Sequence, residues 1–244
     1  MILAEIYLKN NKIPMAQIEL NEIIKNNESD IQARFLFTNC LISEEKILEA
    51  ERFLHASISL LPQQSALYVL LIKLYRTKSK FFTNSNEKVQ KYFHKAFINV
   101  KEYSYQLWTE RAKWLIEVKN NKISHIEALN ILKKNINLNP NYSHSRTELG
   151  LLYQTSPYVR DLDESIKVLD KAIKITKDEA PRVVLIRSYI LRIKESDLSN
   201  ARNIADWSDA KNLAEEVLAK KPSVAHHNRE FLLDLIKIYE HFER

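Results

Sequence analysis

The side chains that most often carry catalysis or bind metals are scattered along this sequence without the spacing that such chemistry needs. His226 and His227 are adjacent, so their rings diverge on a helix. The remaining histidines lie far apart in the chain and are expected at the surface: His55, His94, His125, His144 and His241. We therefore expect no catalytic residue and no metal site.

Cysteine and the paired acids lead to the same expectation. The single cysteine, Cys40, excludes an internal disulfide and any CxxC site. Its position is one where a small residue packs, which favours a structural thiol over a nucleophile. The acidic pairs Glu44–Glu45 and Glu215–Glu216 fall on presumed solvent faces of helices. No general acid and base can be nominated.

Glycine is almost absent from the chain. Gly150 is the only glycine among 244 residues, whereas a P-loop needs two glycines and a dinucleotide fingerprint needs three. No cofactor is therefore expected, and an enzyme is a remote reading. Turns that need a positive φ are expected to be almost absent, which disfavours β-hairpins.

The net charge of +6 and the pI near 9.1 suggest an acidic partner only weakly, because Lys and Arg are interspersed with Asp and Glu. A basic face of Lys88, Lys91, Lys95 and Lys101 has no base-stacking module beside it, so nucleic acid is an unlikely partner. The apolar runs are too short for a membrane span, and Met1 opens no secretory signal. We expect a cytoplasmic protein, unless the sequence is a fragment of a longer chain.

Small residues recur along the chain as the first members of apolar patterns at helical spacing. These residues are Ala16, Ala50, Ala96, Ala128 and Ala210. Ala16 and Ala50 are separated by 34 residues (50 − 16). Around Ala50, one segment carries Phe37, Thr38 and Leu41 in a first helix, then Ala50, Leu54 and Ser57 in a second helix, with Pro62 after it.

This pattern resembles the tetratricopeptide repeat family, and the resemblance covers nearly the whole chain. It implies an all-α solenoid of stacked antiparallel helical hairpins in a right-handed superhelix, closed by a capping helix. We predict a single solenoid over 1–244. Its approximate units are 1–30, 31–64, 65–103, 104–142, 143–179 and 180–224, followed by the capping helix at 225–244.

The prolines support this register, because proline is accepted in the first turn of a helix or just beyond its end. Pro14 and Pro181 fall at predicted helix starts. Pro157 falls in a turn, and Pro62, Pro140 and Pro222 follow second helices. The aromatic residues Phe81, Phe82 and Trp207 stand in otherwise polar turns, where they either fold back as a local plug or present a contact.

The resemblance also implies a concave groove, lined by first helices, that binds a peptide or helix of a partner protein. The groove positions are Phe35, Asn39, Val69, Lys73, Arg76, Lys113, Trp114, Glu117, Asn121, Thr147, Glu148, Leu151, Val183 and Arg187. Trp114 and Arg187 are the expected anchors and are expected to lie outside the core between repeats. Of the residues with which related co-chaperones clamp a C-terminal carboxylate, only Asn39 matches, so no such clamp is expected.

Three functions remain open at this point. The first is an interaction scaffold or adaptor that binds a partner of unknown identity in the groove. The second is a regulatory or assembly subunit whose groove is filled by another part of its own longer chain or by a second copy, that is, by self-association. The third, an enzyme with a site in the groove, is remote.

Overall fold

The computed structural model describes residues 1–195, 201–221, 223 and 228–242. In this part of the chain every regular element is helical, and no strand occurs. The α-helices are α1 (Ile2–Lys9), α2 (Ile13–Asn26), α3 (Ile31–Ser43), α4 (Ile47–Leu60), α5 (Ser65–Thr77), α6 (Ser85–Asn99), α7 (Tyr105–Trp114), α8 (Lys122–Leu138), α9 (Ser143–Thr155), α10 (Leu162–Ile175), α11 (Ala180–Glu195), α12 (Ala201–Lys220) and α13 (Arg229–Phe242). A 3₁₀ turn (Ser79–Phe81) and a π-helical turn (Leu115–Lys119) complete the set.

The chain forms two compact units, Met1–Trp114 (unit 1) and Leu115–Arg244 (unit 2). In both units, most helices that follow each other pack as pairs. Alternate helices also touch, since α5 contacts α3 and α7 in unit 1, and α11 contacts α9 and α13 in unit 2. The predicted all-α hairpin fold is confirmed. The repeat boundaries stay a prediction.

The alanine register is confirmed by burial. The five marker alanines, Ala16, Ala50, Ala96, Ala128 and Ala210, are all fully buried at 0% exposure. A methyl group occupies little space, so helices can approach closely at these positions. Large side chains such as Leu54 and Phe93 fill the volume around them and are also buried.

The prolines lie where the register places them. Pro14 is in the first turn of α2, and Pro181 is in the first turn of α11. Pro62 and Pro140 follow α4 and α8, and Pro157 lies between α9 and α10. Pro222 lies outside the described residues, as do residues 225–227 and 243–244 of the predicted capping helix. The described part of that helix is α13.

Positive φ angles occur in more turns than the scarcity of glycine predicts. Asn11, Glu45, Asn84 and Asn120 adopt positive φ values of 55°, 58°, 52° and 34°. Each precedes the second helix of a hairpin. Asparagine tolerates this left-handed region better than most residues, because its short polar side chain can bond locally. Gly150 itself has no positive φ.

Gly150 instead allows close packing of α9 on α10. A Cβ atom at this position would lie 2.5 Å from Cγ of Leu169, which is fully buried. On the same side, the Ser165 hydroxyl donates to the Gly150 carbonyl at 2.8 Å. The only glycine of the sequence is therefore used for an approach between two helices.

The aromatic residues in turns were left open as plugs or contacts. Phe82 is a plug, because it is buried and its ring packs edge-on against Tyr75 at 4.8 Å. Phe81 is 40% exposed. Trp207 lies within α12 and stacks on His241 of α13 at 4.4 Å, so it helps to dock the last described helix.

Candidate functional site

The predicted groove residues of unit 1 belong to its first helices. Phe35 and Asn39 lie on α3, Val69, Lys73 and Arg76 on α5, and Lys113 on α7. We call these six residues the first-helix surface of unit 1. Phe35 is 37% exposed and Lys73 is exposed, whereas Val69 is buried. This surface therefore presents an exposed aromatic ring and cationic side chains, all on first helices.

A buried carboxylate organises the cations of this surface. Glu110 of α7 is 1% exposed, and its Oε2 accepts a hydrogen bond from Arg76 Nη2 at 3.0 Å. Lys73 Nζ lies 3.4 Å from Oε1 of the same carboxylate. An acid of the chain itself therefore lies against the two cations and fixes the position of the guanidinium. Glu110 is not among the groove residues that the sequence predicted.

Trp114 does not lie where the repeat pattern predicts. It was expected to be an exposed anchor, but only 4% of it is exposed. Its ring packs against Phe93 of α6, with the centroids 5.8 Å apart. A large apolar ring is stabilised by such burial, so Trp114 belongs to the core of unit 1.

Two other predicted groove residues follow α7. Glu117 is exposed on the π-helical turn, so it does not continue the α7 face in regular register. Asn121 is the N-cap of α8, and its side chain accepts a hydrogen bond from the backbone N–H of Ser124 at 2.9 Å. Asn121 was placed in a first helix, and the structure instead uses its side chain to start a second helix.

In unit 2 the predicted groove residues lie on α9 and α11. Thr147 and Glu148 are buried, and Leu151 is 37% exposed. Val183 and Arg187 on α11 are half-buried. Leu151 is therefore the open apolar position among these five residues.

Arg187 was expected to face a partner, but it is bound within the chain. Its guanidinium pairs with Glu230 and lies 3.4 Å from Asp234 Oδ2, both on α13. Asp234 is buried, and the bond to Arg187 holds the pKa of the Glu230 carboxyl below its ordinary value. The carboxylates of α13 thus neutralise the charge of Arg187, which was expected to bind an external partner.

A polar cluster that was not found from the sequence joins α4, α5 and α6. The Tyr75 hydroxyl donates to Glu51 Oε1 at 2.7 Å, so it accepts from His55 Nε2 at 3.0 Å. His55 Nδ1 then accepts from the Tyr92 hydroxyl at 2.8 Å, and Lys88 Nζ lies 3.0 Å from Glu51. Burial raises the pKa of Tyr75 and lowers the pKa of His55. These hydrogen bonds and the ion pair link α4, α5 and α6 to one another.

His125 was expected at the surface, but it is 2% exposed in unit 2. Its Nδ1 lies 2.8 Å from the Ser156 hydroxyl oxygen, which already accepts the backbone N–H groups of Tyr158 and Val159. The hydroxyl therefore donates to Nδ1, and Nε2 donates to Asn120 Oδ1 at 3.2 Å. This arrangement requires a neutral ring. Burial lowers the pKa of His125 accordingly.

We predict that acid weakens the fold through this residue. Because the folded pKa lies below the unfolded value of about 6.5, the stabilisation is complete above that pH and is lost as the pH falls through the folded value. The free energy of unfolding should decline as the pH falls below about 6.5. In His125→Gln the decline should be shallower, though not abolished, because burial shifts His55 in the same direction. Urea titrations at several pH values measure the free energy of unfolding of both proteins. If this free energy falls with pH to the same extent in the wild type and in His125→Gln, the prediction is contradicted.

Among the described residues, no group of three or more His, Cys, Asp or Glu side chains is placed to hold a metal ion. In the same part of the chain, no helix has both the length and the apolar character of a bilayer-spanning segment.

Neither a protein-family model nor a curated protein sequence matches the chain. Its backbone is similar to a chain of the APC/C hetero-tetramer Cut9–Hcn1, with a TM-score of 0.66 and 14% identity over 97% of this chain and 41% of that chain. It is similar to PilW, a type IV pilus biogenesis factor, with a TM-score of 0.60 and 12% identity over 96% and 95% of the two chains. It is also similar to a tetratricopeptide repeat protein from Parabacteroides merdae, with a TM-score of 0.55 and 17% identity over 97% and 90% of the chains.

The chain has a tetratricopeptide repeat fold. This agrees with the resemblance carried by the alanine register. At identities of 12–17% the similarity concerns the fold, so the function has to be argued from the surfaces of this chain.

Proposed function

We propose that this protein is an interaction scaffold or adaptor that binds a peptide or helix of a partner protein on the first-helix surface of unit 1. The observation that carries the proposal is the exposed Phe35 ring in the same layer of helices as the Lys73 and Arg76 cations. An apolar anchor position with polar groups beside it suits an extended or helical peptide.

The charge of the surface indicates the chemistry of the occupant. Lys73 and Arg76 contribute two positive charges, and the Glu110 carboxylate that pairs with both contributes one negative charge, which leaves a net charge of +1 (2 − 1). Glu110 is buried and pairs with Arg76 and Lys73, so part of the charge of these two cations is neutralised within the protein. A partner segment with one large apolar side chain and flanking acidic residues fits this surface.

A second candidate, the regulatory or assembly subunit, is favoured by one observation in unit 2. There α13 lies against α11 and neutralises Arg187 with Glu230 and Asp234. A segment of the chain itself thus covers part of the surface that first helices offer in that unit. Under this reading, α13 is an internal occupant that limits what unit 2 can bind.

The test compares exposed apolar residues on first and second helices. Phe35→Ala on α3 should weaken capture of a partner from native lysate by about tenfold, corresponding to a loss of about 1–2 kcal/mol. Leu48→Ala on α4 is the matched control, because Leu48 is 55% exposed and lies on a second helix. Capture is quantified against immobilised protein at several concentrations.

Lys73→Glu provides the second arm of this test. It should reduce capture most strongly at low salt, because an exposed charge acts through screened electrostatics. Equal capture by wild type, Phe35→Ala and Lys73→Glu would reject the proposal. Loss of capture with Leu48→Ala alone would assign binding to the second helices.

A further inference from the structure

The last described helix, α13, has two apolar faces. Phe231, Leu235 and Ile238 form the inner face and are 0%, 7% and 0% exposed. The outer face carries Leu232, Leu233, Ile236 and Tyr239, which are 40%, 41%, 51% and 37% exposed. A contiguous apolar strip at this place marks an interaction surface.

The four outer residues form one continuous stripe, which we call the α13 stripe. Ile236 follows Leu232 by four residues and Leu233 by three, and Tyr239 follows Ile236 by three, so the side chains are neighbours along one side of the helix. Arg229 precedes Leu232 by three residues, and Glu240 follows Ile236 by four. Both are exposed. The stripe therefore has a cation at one end and an anion at the other, about 16 Å apart.

This distribution of charge makes the stripe complementary to itself. If a second stripe lies antiparallel on the first, Arg229 faces the partner's Glu240 and Leu233 faces the partner's Ile236. The two-fold axis generates each contact twice. A parallel arrangement would place Arg229 against Arg229 and Glu240 against Glu240, which is repulsive. We propose that the α13 stripe is an isologous dimer interface whose occupant is a second copy of this chain in antiparallel orientation.

The interface is small, so the dimer is weak. Each copy contributes one face of a 14-residue helix, which places the buried area below the roughly 1,200 Å² of a stable standard interface. We expect the dimer to dissociate as the protein is diluted from about 100 μM to about 1 μM. The proposal is independent of the binding surface in unit 1, because no residue is shared between the two.

Sedimentation velocity over this concentration range tests the dimer. The wild-type protein should shift from monomer to dimer, and Ile236→Glu should remain monomeric. Ile98→Glu on α6 is the matched control, because Ile98 is 67% exposed and should leave the equilibrium unchanged. Helicity measured by circular dichroism confirms that each variant is folded.

Charge reversal tests the antiparallel orientation. Arg229→Glu alone and Glu240→Arg alone should each weaken the dimer by about tenfold or more, because each places like charges opposite each other twice. The double variant Arg229→Glu/Glu240→Arg should restore it, and an equimolar mixture of the two single variants should form a heterodimer. A wild-type protein that is monomeric throughout would overturn the proposal. So would a dimer that survives Ile236→Glu, or one that ignores both charge reversals.

Discussion

Trp114→Ala is expected to lower the free energy of unfolding by about 3–5 kcal/mol. The ring is 4% exposed and packs against Phe93, so truncation removes a large buried apolar surface and leaves a cavity that α6 and α7 can fill only in part. The repeat register alone predicts the opposite result, a variant that folds normally and binds less partner. Urea unfolding followed by far-UV circular dichroism distinguishes the two.

Phe35→Ala is the control for Trp114→Ala. Phe35 is also an aromatic residue of a first helix but is 37% exposed, so its loss should cost less than half as much as the loss of Trp114. If Trp114→Ala has the same urea midpoint of unfolding as the wild type, the ring faces solvent. Trp114 would then lie in the groove, as the repeat pattern predicts.

The effect of Gly150→Ala on the free energy of unfolding should change sign when the Leu169 side chain is truncated. Gly150→Ala alone should destabilise by about 1 kcal/mol, because overpacking costs about 1–3 kcal/mol and the better helix propensity of alanine returns about 1 kcal/mol. The overpacking arises because the new methyl group would lie 2.5 Å from Leu169 Cγ. Leu169→Ala alone should destabilise by about 2–5 kcal/mol, since Leu169 is fully buried.

In the Leu169→Ala background the same Gly150→Ala change should instead stabilise the protein. The obstructing side chain is gone, the methyl group enters the cavity, and the helix-propensity gain of about 1 kcal/mol remains. A double-mutant cycle from urea unfolding measures this coupling. If Gly150→Ala has the same sign and size in both backgrounds, the close approach of α9 and α10 at this position is incorrect.

The helical register could be predicted from the sequence because it depends on local patterns. Ala50 and Ala96 are small residues set among large ones at helical spacing, and both are fully buried. The positive φ at Asn11 and Asn84 could not be predicted in the same way. Asparagine occurs in turns with several backbone conformations, so its presence in a turn does not by itself indicate a positive φ.

The candidate site was harder to predict because its residues depend on contacts distant in sequence. Whether Trp114 is an anchor or a core residue is decided by Phe93 on another helix. Arg187 is bound by Glu230, which is 43 residues away in the chain. The pairing of Arg76 with Glu110 spans 34 residues. Spacing within one helix carries no information about such partners.

The central claim is that the first-helix surface of unit 1 holds another polypeptide, and backbone amide hydrogen exchange tests it most directly. Exchange is measured on the wild-type protein alone and with the partner that Phe35→Ala fails to capture. We predict added protection in α3, α5 and α7, with α4 and α6 unchanged. Added protection confined to α4 and α6, or to α13, with none in α3 and α5, would contradict the account.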